Sequence, residues 1–175
     1  KQLGFAADSY EVMELELGDL ANVRNFVKKF RGKKYAKSLQ ALICNAAIYY
    51  PNAVTPTFTK DGFEETVGVT HLGHFLLCQG LLPKLLSTAG ARKRIVITSG
   101  EIHNAESPDG RNGAVPTLGD LSGLELGPDF EMCDGGDFDG NKAYKDSKLC
   151  NMLFMAEAAR RWERAVGEVY GNTAL

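Results

Sequence analysis

Short, mostly apolar runs alternate with longer helical stretches along this chain, and that alternation limits its fold more than any other feature. Leu39–Cys44 and Arg94–Thr98 (RIVIT) have the length and composition of buried strands. From Tyr10, EVMELEL sets Met13, Leu15 and Leu17 against glutamates with a period of two, a third strand pattern. Asp19 is placed to cap a helix in which Leu20, Val23, Phe26, Val27 and Phe30 recur at helical spacing. A loop with Pro51 and Pro56 leads into a long helix from about Asp61, expected to break near Pro83 because proline lacks the donor a helix needs. Residues 101–141 are rich in Gly, Pro and Asp and read as irregular. Ala143 to about Arg164 reads as a helix, and Val169 as the start of another strand. Strand and helix thus alternate three times, which predicts an α/β fold: a parallel sheet with helices on both faces.

Composition narrows the function classes. The chain has 175 residues, 44% of them hydrophobic and 24% charged, which suits one ordinary globular domain. A formal net charge of −2 gives no electrostatic reason to bind nucleic acid or an anionic membrane surface. No apolar stretch approaches the roughly 20 residues of a membrane-spanning helix, and the first residues do not read as a signal peptide. Cys44, Cys78, Cys133 and Cys150 are scattered, with no Cys-x-x-Cys pair, a pattern that suggests reduced thiols in an intracellular compartment. Lys28–Lys37 reads as a solvated basic stretch. The chain starts without methionine, in what reads as a connection to a strand, so a fragment is expected.

In parallel sheets, ligands bind beyond the carboxyl ends of the strands. Glu16-Leu17, Asn45-Ala46-Ala47 and Thr98-Ser99-Gly100 stand at three such ends. Tyr144 and Lys148 of AYKDSK lie four residues apart, on one face of the helix that follows DGGDFDGN. An ammonium beside a phenol favours phenolate, so a tyrosine that exchanges a proton nearer neutral pH is expected there.

These residues, with the segments LICNAAIYYP, PTFTKDGFEETVGVTHLGHFLLCQGLL, LGDLSGL and DGGDFDGNKAYKDSKLCNML, resemble the short-chain dehydrogenase/reductase family. The resemblance is closest to its light-dependent protochlorophyllide oxidoreductase branch. It implies a partial Rossmann-type, doubly wound parallel sheet, one partial nucleotide-binding domain over 1–175, and an irregular insertion at about 101–142. It implies NADPH as cofactor and protochlorophyllide as the molecule reduced in light, in chlorophyll biosynthesis. It implies Tyr144 as the catalytic tyrosine and Lys148 as its partner, also bonded to the nicotinamide ribose. Asn45, Ala46 and Ala47 would lie beside the adenosine half, Glu16 and Leu17 against the adenine, and Tyr49 toward the pigment. The implied location is a plastid or chloroplast in a eukaryote, or the cytoplasm or thylakoid surface in a cyanobacterium. Peripheral membrane association and self-association remain open.

The sequence also departs from the family pattern. Thr70 stands where the family has an asparagine that holds a water linked to the lysine. Gly100 aligns with the catalytic serine, with Ser99 one residue early; a shift of one would restore Ser99 to that role. The glycine-rich phosphate loop and the residues choosing NADP over NAD would precede Lys1. Two alternatives therefore stand beside the main one: a dark reductase acting on a retinoid- or steroid-like carbonyl, and a non-catalytic relative that binds pigment or nucleotide. His71 and His74 read as packed helix histidines, without a third metal ligand. GGDFDGNKAYKD fits a calcium loop poorly; Asp134, Asp137 and Asp139 read as turn and cap residues. Gly68, Gly73 and Gly80 are expected to allow close helix packing.

Overall fold

The computed structural model describes residues 6, 9–89, 93–126 and 129–166, with side chains to residue 162. Two strands, β1 (Ala41–Cys44) and β2 (Arg94–Ile97), pair in parallel with Ala41 opposite Arg94 and Cys44 opposite Ile97. A parallel pair needs a crossover, here a helix in three parts: α2 (Glu65–Val67), a π-helical turn (Gly68–Leu72) and α3 (Gly73–Ser87). Helix α1 (Leu20–Arg31) precedes β1, and Asp19 caps it by accepting from Asn22 N at 2.9 Å. After β2 come two single turns, α4 (Pro108–Arg111) and α5 (Ser122–Glu125), and then the long α6 (Gly140–Val166).

The main core forms where α1 meets α3. Val23 and Val27 pack with Leu77, Leu81 and Leu17, and Leu39 and Leu42 close over them from the strand side. Each such buried side chain contributes about 1.5–3 kcal/mol. Gly80 and Gly73 set the distance of approach. A Cβ on Gly80 would lie 2.8 Å from Val27 Cγ2, and one on Gly73 would lie 2.5 Å from the Leu17 carbonyl oxygen. A smaller cluster of Val67, Phe130 and Cys133, with Phe63, Leu72 and Leu118 against it, ties the insertion to α2.

Three expectations need correction. Met13, Leu15 and Leu17 do turn inward while Val12, Glu14 and Glu16 are exposed, yet Tyr10–Leu17 is not a strand. A strand exists through its neighbour's hydrogen bonds, and among the described residues only β1 and β2 form a ladder. The expected α/β arrangement with a parallel sheet is present, but among the described residues that sheet is a single two-stranded pair rather than a doubly wound one. Helices cover the Leu42 side, whereas Ile43 and Val96 on the opposite face are 66% and 43% exposed. The long helix does not break at Pro83 but runs on to Ser87. Pro83 and Gln79, whose carbonyl loses its donor, are exposed to water, while Leu81 and Leu85 anchor the helix in the core. The strand expected from Val169 lies outside the described residues.

The Gly73 contact is with backbone, which cannot swing aside. Gly73→Ala should therefore destabilise the fold by about 1–3 kcal/mol despite alanine's higher helix propensity. Gly100 is the control, because its φ of 175° suits any residue and nothing lies within 4 Å of its Cβ position. Urea unfolding of both alanine variants checks this; equal midpoints would remove Gly73 as a packing constraint.

Candidate active site

The two strand ends are joined side by side. Thr98 N donates to the Cys44 carbonyl at 3.0 Å, continuing the ladder one step, and Thr98 Oγ1 donates to Asn45 Oδ1 at 2.9 Å. Cys44 is buried, whereas Asn45, Ala46 and Ala47 beyond it are exposed, with two methyl-sized side chains that leave the backbone approachable. Ser99 donates to the Lys148 carbonyl at 3.4 Å. That hydroxyl holds the backbone of α6 rather than the Tyr144 phenol.

Helix α6 starts at a defined point because Asp139 Oδ1 accepts from Lys142 N at 2.9 Å. Its second and third turns carry Tyr144 and Lys148. The Lys148 ammonium donates to the Thr98 carbonyl at 3.1 Å and sits 5.2 Å from the centre of the Tyr144 ring. Tyr49, from the loop after β1, lies on the same ring with centroids 4.4 Å apart and planes tilted by 35°. Its hydroxyl donates to Asn141 Oδ1 at 3.2 Å. The structure thus brings together Tyr144, Lys148, Tyr49, Asn45 and the Thr98–Ser99 strand end. Leu17 belongs to the α1–α3 core, and the Glu16 carboxylate accepts from Gly18 N at 3.1 Å.

The electrostatics differ from the expectation of an acidified phenol. Burial, followed by the neighbouring Tyr49, raises the Tyr144 pKa above its ordinary value of 10.0. Burial lowers that of Lys148. The ammonium faces the ring and bonds a carbonyl, so it does not offset what burial does to the phenol. Tyr144 consequently keeps its proton at neutral pH, as a proton donor must.

Thr70 sits in the π-helical turn, where the helix widens. Fully buried, it accepts from Ile48 N through Oγ1 at 3.3 Å and so ties down the loop that carries Tyr49. Its carbonyl accepts twice, from Asn151 Nδ2 and from His74 Nδ1, both at 3.2 Å. With the Asn151 amide nitrogen so engaged, its oxygen receives the Nδ1 proton of His71 at 3.0 Å. Both histidines thus tie the opened helix to itself and to α6.

Four participants escaped the sequence reading. Asn151 falls three residues after Lys148, on a shared helix face, and this spacing was its only signal. Lys142, Lys145 and Asp146 are interleaved with the tyrosine–lysine pair but turn toward the insertion. Lys145 is fully buried, and its ammonium donates to the carbonyls of Gly110 (3.0 Å), Asn112 (2.5 Å) and Ala114 (2.9 Å). Asp146 accepts from Thr117 N at 2.9 Å and pairs with Lys142 at 2.5 Å, while Lys142 reaches Asp134 at 2.9 Å.

No family model matches the chain. It is 43% identical over 175 residues to a chloroplastic protochlorophyllide reductase of Cucumis sativus and 44% identical over 176 residues to that of Pisum sativum. It is also 44% identical over 173 residues to protochlorophyllide reductase A of Arabidopsis thaliana. These matches take in 97–98% of the chain but only 42–44% of each relative, so the chain spans less than half their length. Among solved structures, an uncharacterised protein from Mycobacterium paratuberculosis matches with TM-score 0.62 and 34% identity, over 90% of this chain and 46% of that one. A metagenomic short-chain oxidoreductase in complex with NADP matches with TM-score 0.54 and 17% identity, over 88% of this chain and 54% of that one, which is a likeness of fold.

The two histidines make the site's stability depend on pH. Burial is the main cause that holds both imidazoles below the ordinary value of 6.5. The unfolded chain therefore takes up protons at these positions before the folded chain does. The stability they contribute is complete above the unfolded value and is lost as pH falls through the folded values. Urea midpoints should drop between about pH 7 and about pH 5, and the His71→Gln, His74→Gln double variant should show a smaller drop. An unchanged drop in that variant would assign the acid sensitivity to other groups.

Proposed function

We propose, for a chain homologous to the protochlorophyllide reductases, that it is part of an NADPH-dependent enzyme that reduces protochlorophyllide to chlorophyllide in light. The observation that carries this reading is the Tyr144–Lys148 pair docked on the Thr98 carbonyl at the end of the parallel strands. Its aromatic neighbour Tyr49 and the insertion held beside it add walls suited to a large planar pigment. The location that goes with this reading is a plastid, or the cytoplasm or thylakoid surface of a cyanobacterium.

The residues present fit the nicotinamide cofactor. The nearly buried Lys148 ammonium has three protons and, among the described residues, one acceptor, the Thr98 carbonyl. Its remaining donors suit ribose hydroxyls, and the open Asn45–Ala47 turn suits the adenosine half. Bound NADPH would supply a hydride to one carbon of the pigment's reduced double bond. The chain's own work is to orient and to hold a proton. Tyr144, protonated at neutral pH, would deliver its proton to the neighbouring carbon. Lys148 fixes the direction of the tyrosine ring from its face, and Thr70 and Asn151 hold the helix and loop from which these groups project.

The hydroxyl inventory favours this reading over reduction of a carbonyl. That reaction profits from a hydroxyl donated to the developing oxyanion. Here the Thr98 hydroxyl is bonded to Asn45, the Ser99 hydroxyl to the Lys148 carbonyl, and Gly100 has none.

The test uses the full-length protein with NADPH and protochlorophyllide. Product should form only under illumination. Tyr144→Phe should spare NADPH binding and slow the proton-transfer phase by about 100-fold or more, the usual range for losing a general acid. Lys148→Ala should weaken NADPH binding as well. Turnover in the dark, or a Tyr144→Phe variant as fast as wild type, would overturn the proposal.

A further inference from the structure

The fully buried Lys145 has no part in the chemistry proposed above, and a buried ammonium is costly unless every proton is matched. All three of its protons are spent on backbone carbonyls of one turn, those of Gly110, Asn112 and Ala114. The bonds are to main chain, so they constrain the path of the turn rather than any side chain on it. That path is tight. Gly113 has a φ of +77°, a conformation that favours glycine, and a Cβ on Gly110 would lie 1.8 Å from the Asn104 carbonyl oxygen.

The turn leads back to the site through one carbonyl. Asn112 O, which accepts from Lys145, also accepts from Asn141 Nδ2 at 3.4 Å. The amide of Asn141 is thereby oriented, with its oxygen turned to receive the Tyr49 hydroxyl at 3.2 Å. Tyr49 in turn lies on the Tyr144 ring. Hydrogen bonds run from Lys145 through Asn112 and Asn141 to Tyr49, and Tyr49 passes the constraint to Tyr144 by ring contact.

We propose that Lys145 is a positioning residue for the Tyr49–Tyr144 pair, acting through the 110–114 turn and the Asn141 amide. Lys145 and Tyr144 are adjacent in sequence but point to different sides of α6. One side holds the wall; the other presents the phenol. The arrangement keeps Tyr144 covered by Tyr49, with the Lys148 ammonium 5.2 Å from the centre of the same ring. Its consequence for turnover rests on the functional reading above, whereas the positioning itself is readable without substrate.

The experiment uses full-length protein labelled with 3-fluorotyrosine, with Tyr144→Phe to assign the fluorine signal. Two variants interrupt the chain of bonds at different links. Lys145→Met removes the charge at similar length, and Asn141→Leu removes only the bridge. In each, the Tyr144 titration should move down toward that of an exposed tyrosine, because the cover that burial and Tyr49 provide is loosened. Each should also lower kcat by about tenfold or more while leaving the NADPH Kd within about twofold, and the double variant should be no worse than either single one. Wild-type titration and kcat in Asn141→Leu would overturn the proposal, as would losses that add in the double variant. If Lys145→Met does not fold, the Asn141→Leu result decides alone. If the fluorine shifts appear but the wild-type protein reduces no protochlorophyllide, the functional reading fails and the positioning by Lys145 stands.

Discussion

The parallel pairing of β1 with β2 is the constraint from which the site follows. Cys44 stands opposite Ile97, so both strands end at one level and their following loops leave side by side. That level places the Thr98 carbonyl under the Lys148 ammonium and the Thr98 hydroxyl against Asn45. A slip of one residue would put Leu42 and Ile95 on opposite faces and replace these partners at once. Packing of α1 on α3 protects the register, because Leu39 and Leu42 are held against the same buried cluster.

The insertion between β2 and α6 is organised differently. Its apolar anchor is small, centred on Phe130 and Cys133 against Val67. The path of residues 110–117 is set by main-chain groups bonded to charged side chains of α6: three carbonyls on Lys145, Thr117 N on Asp146, and the Thr117 carbonyl on Lys142 at 2.9 Å. Buried charges of this kind add little net stability, since desolvation offsets much of the attraction. They select one path among many, because any other path leaves the charge unmatched. An irregular segment with few apolar residues can be given a single conformation in this way.

Close backbone approach is the other device. Gly123 lies so near its neighbour segment that a Cβ would fall 1.8 Å from the Met132 carbonyl oxygen. The two cysteines nearest the main core make the same point about distance in sequence. Cys44 and Cys78 are 34 residues apart, yet their sulfurs are 3.5 Å apart where β1 meets α3.

Much of this was legible in the sequence wherever the information is local. Periodicity determined α1 and α6, the apolar runs determined β1 and β2, and the carboxylates of Asp19 and Asp139 determined where helices begin. The four-residue spacing of Tyr144 and Lys148 determined that they share a face. Tertiary structure alone decided the rest, because it depends on what lies across from a residue. Tyr10–Leu17 has the alternation of a strand and no ladder, since a strand is completed by a neighbour. Pro83 passes through a helix because water meets the carbonyl it leaves unpaired while leucines on the other side hold the helix in place. The sign of the Tyr144 shift was set by burial and by the neighbouring Tyr49, neither of which a spacing of four can express. Lys145 and Asp146 look like surface charges in a helical stretch; only the returning backbone of residues 110–117 makes them buried anchors.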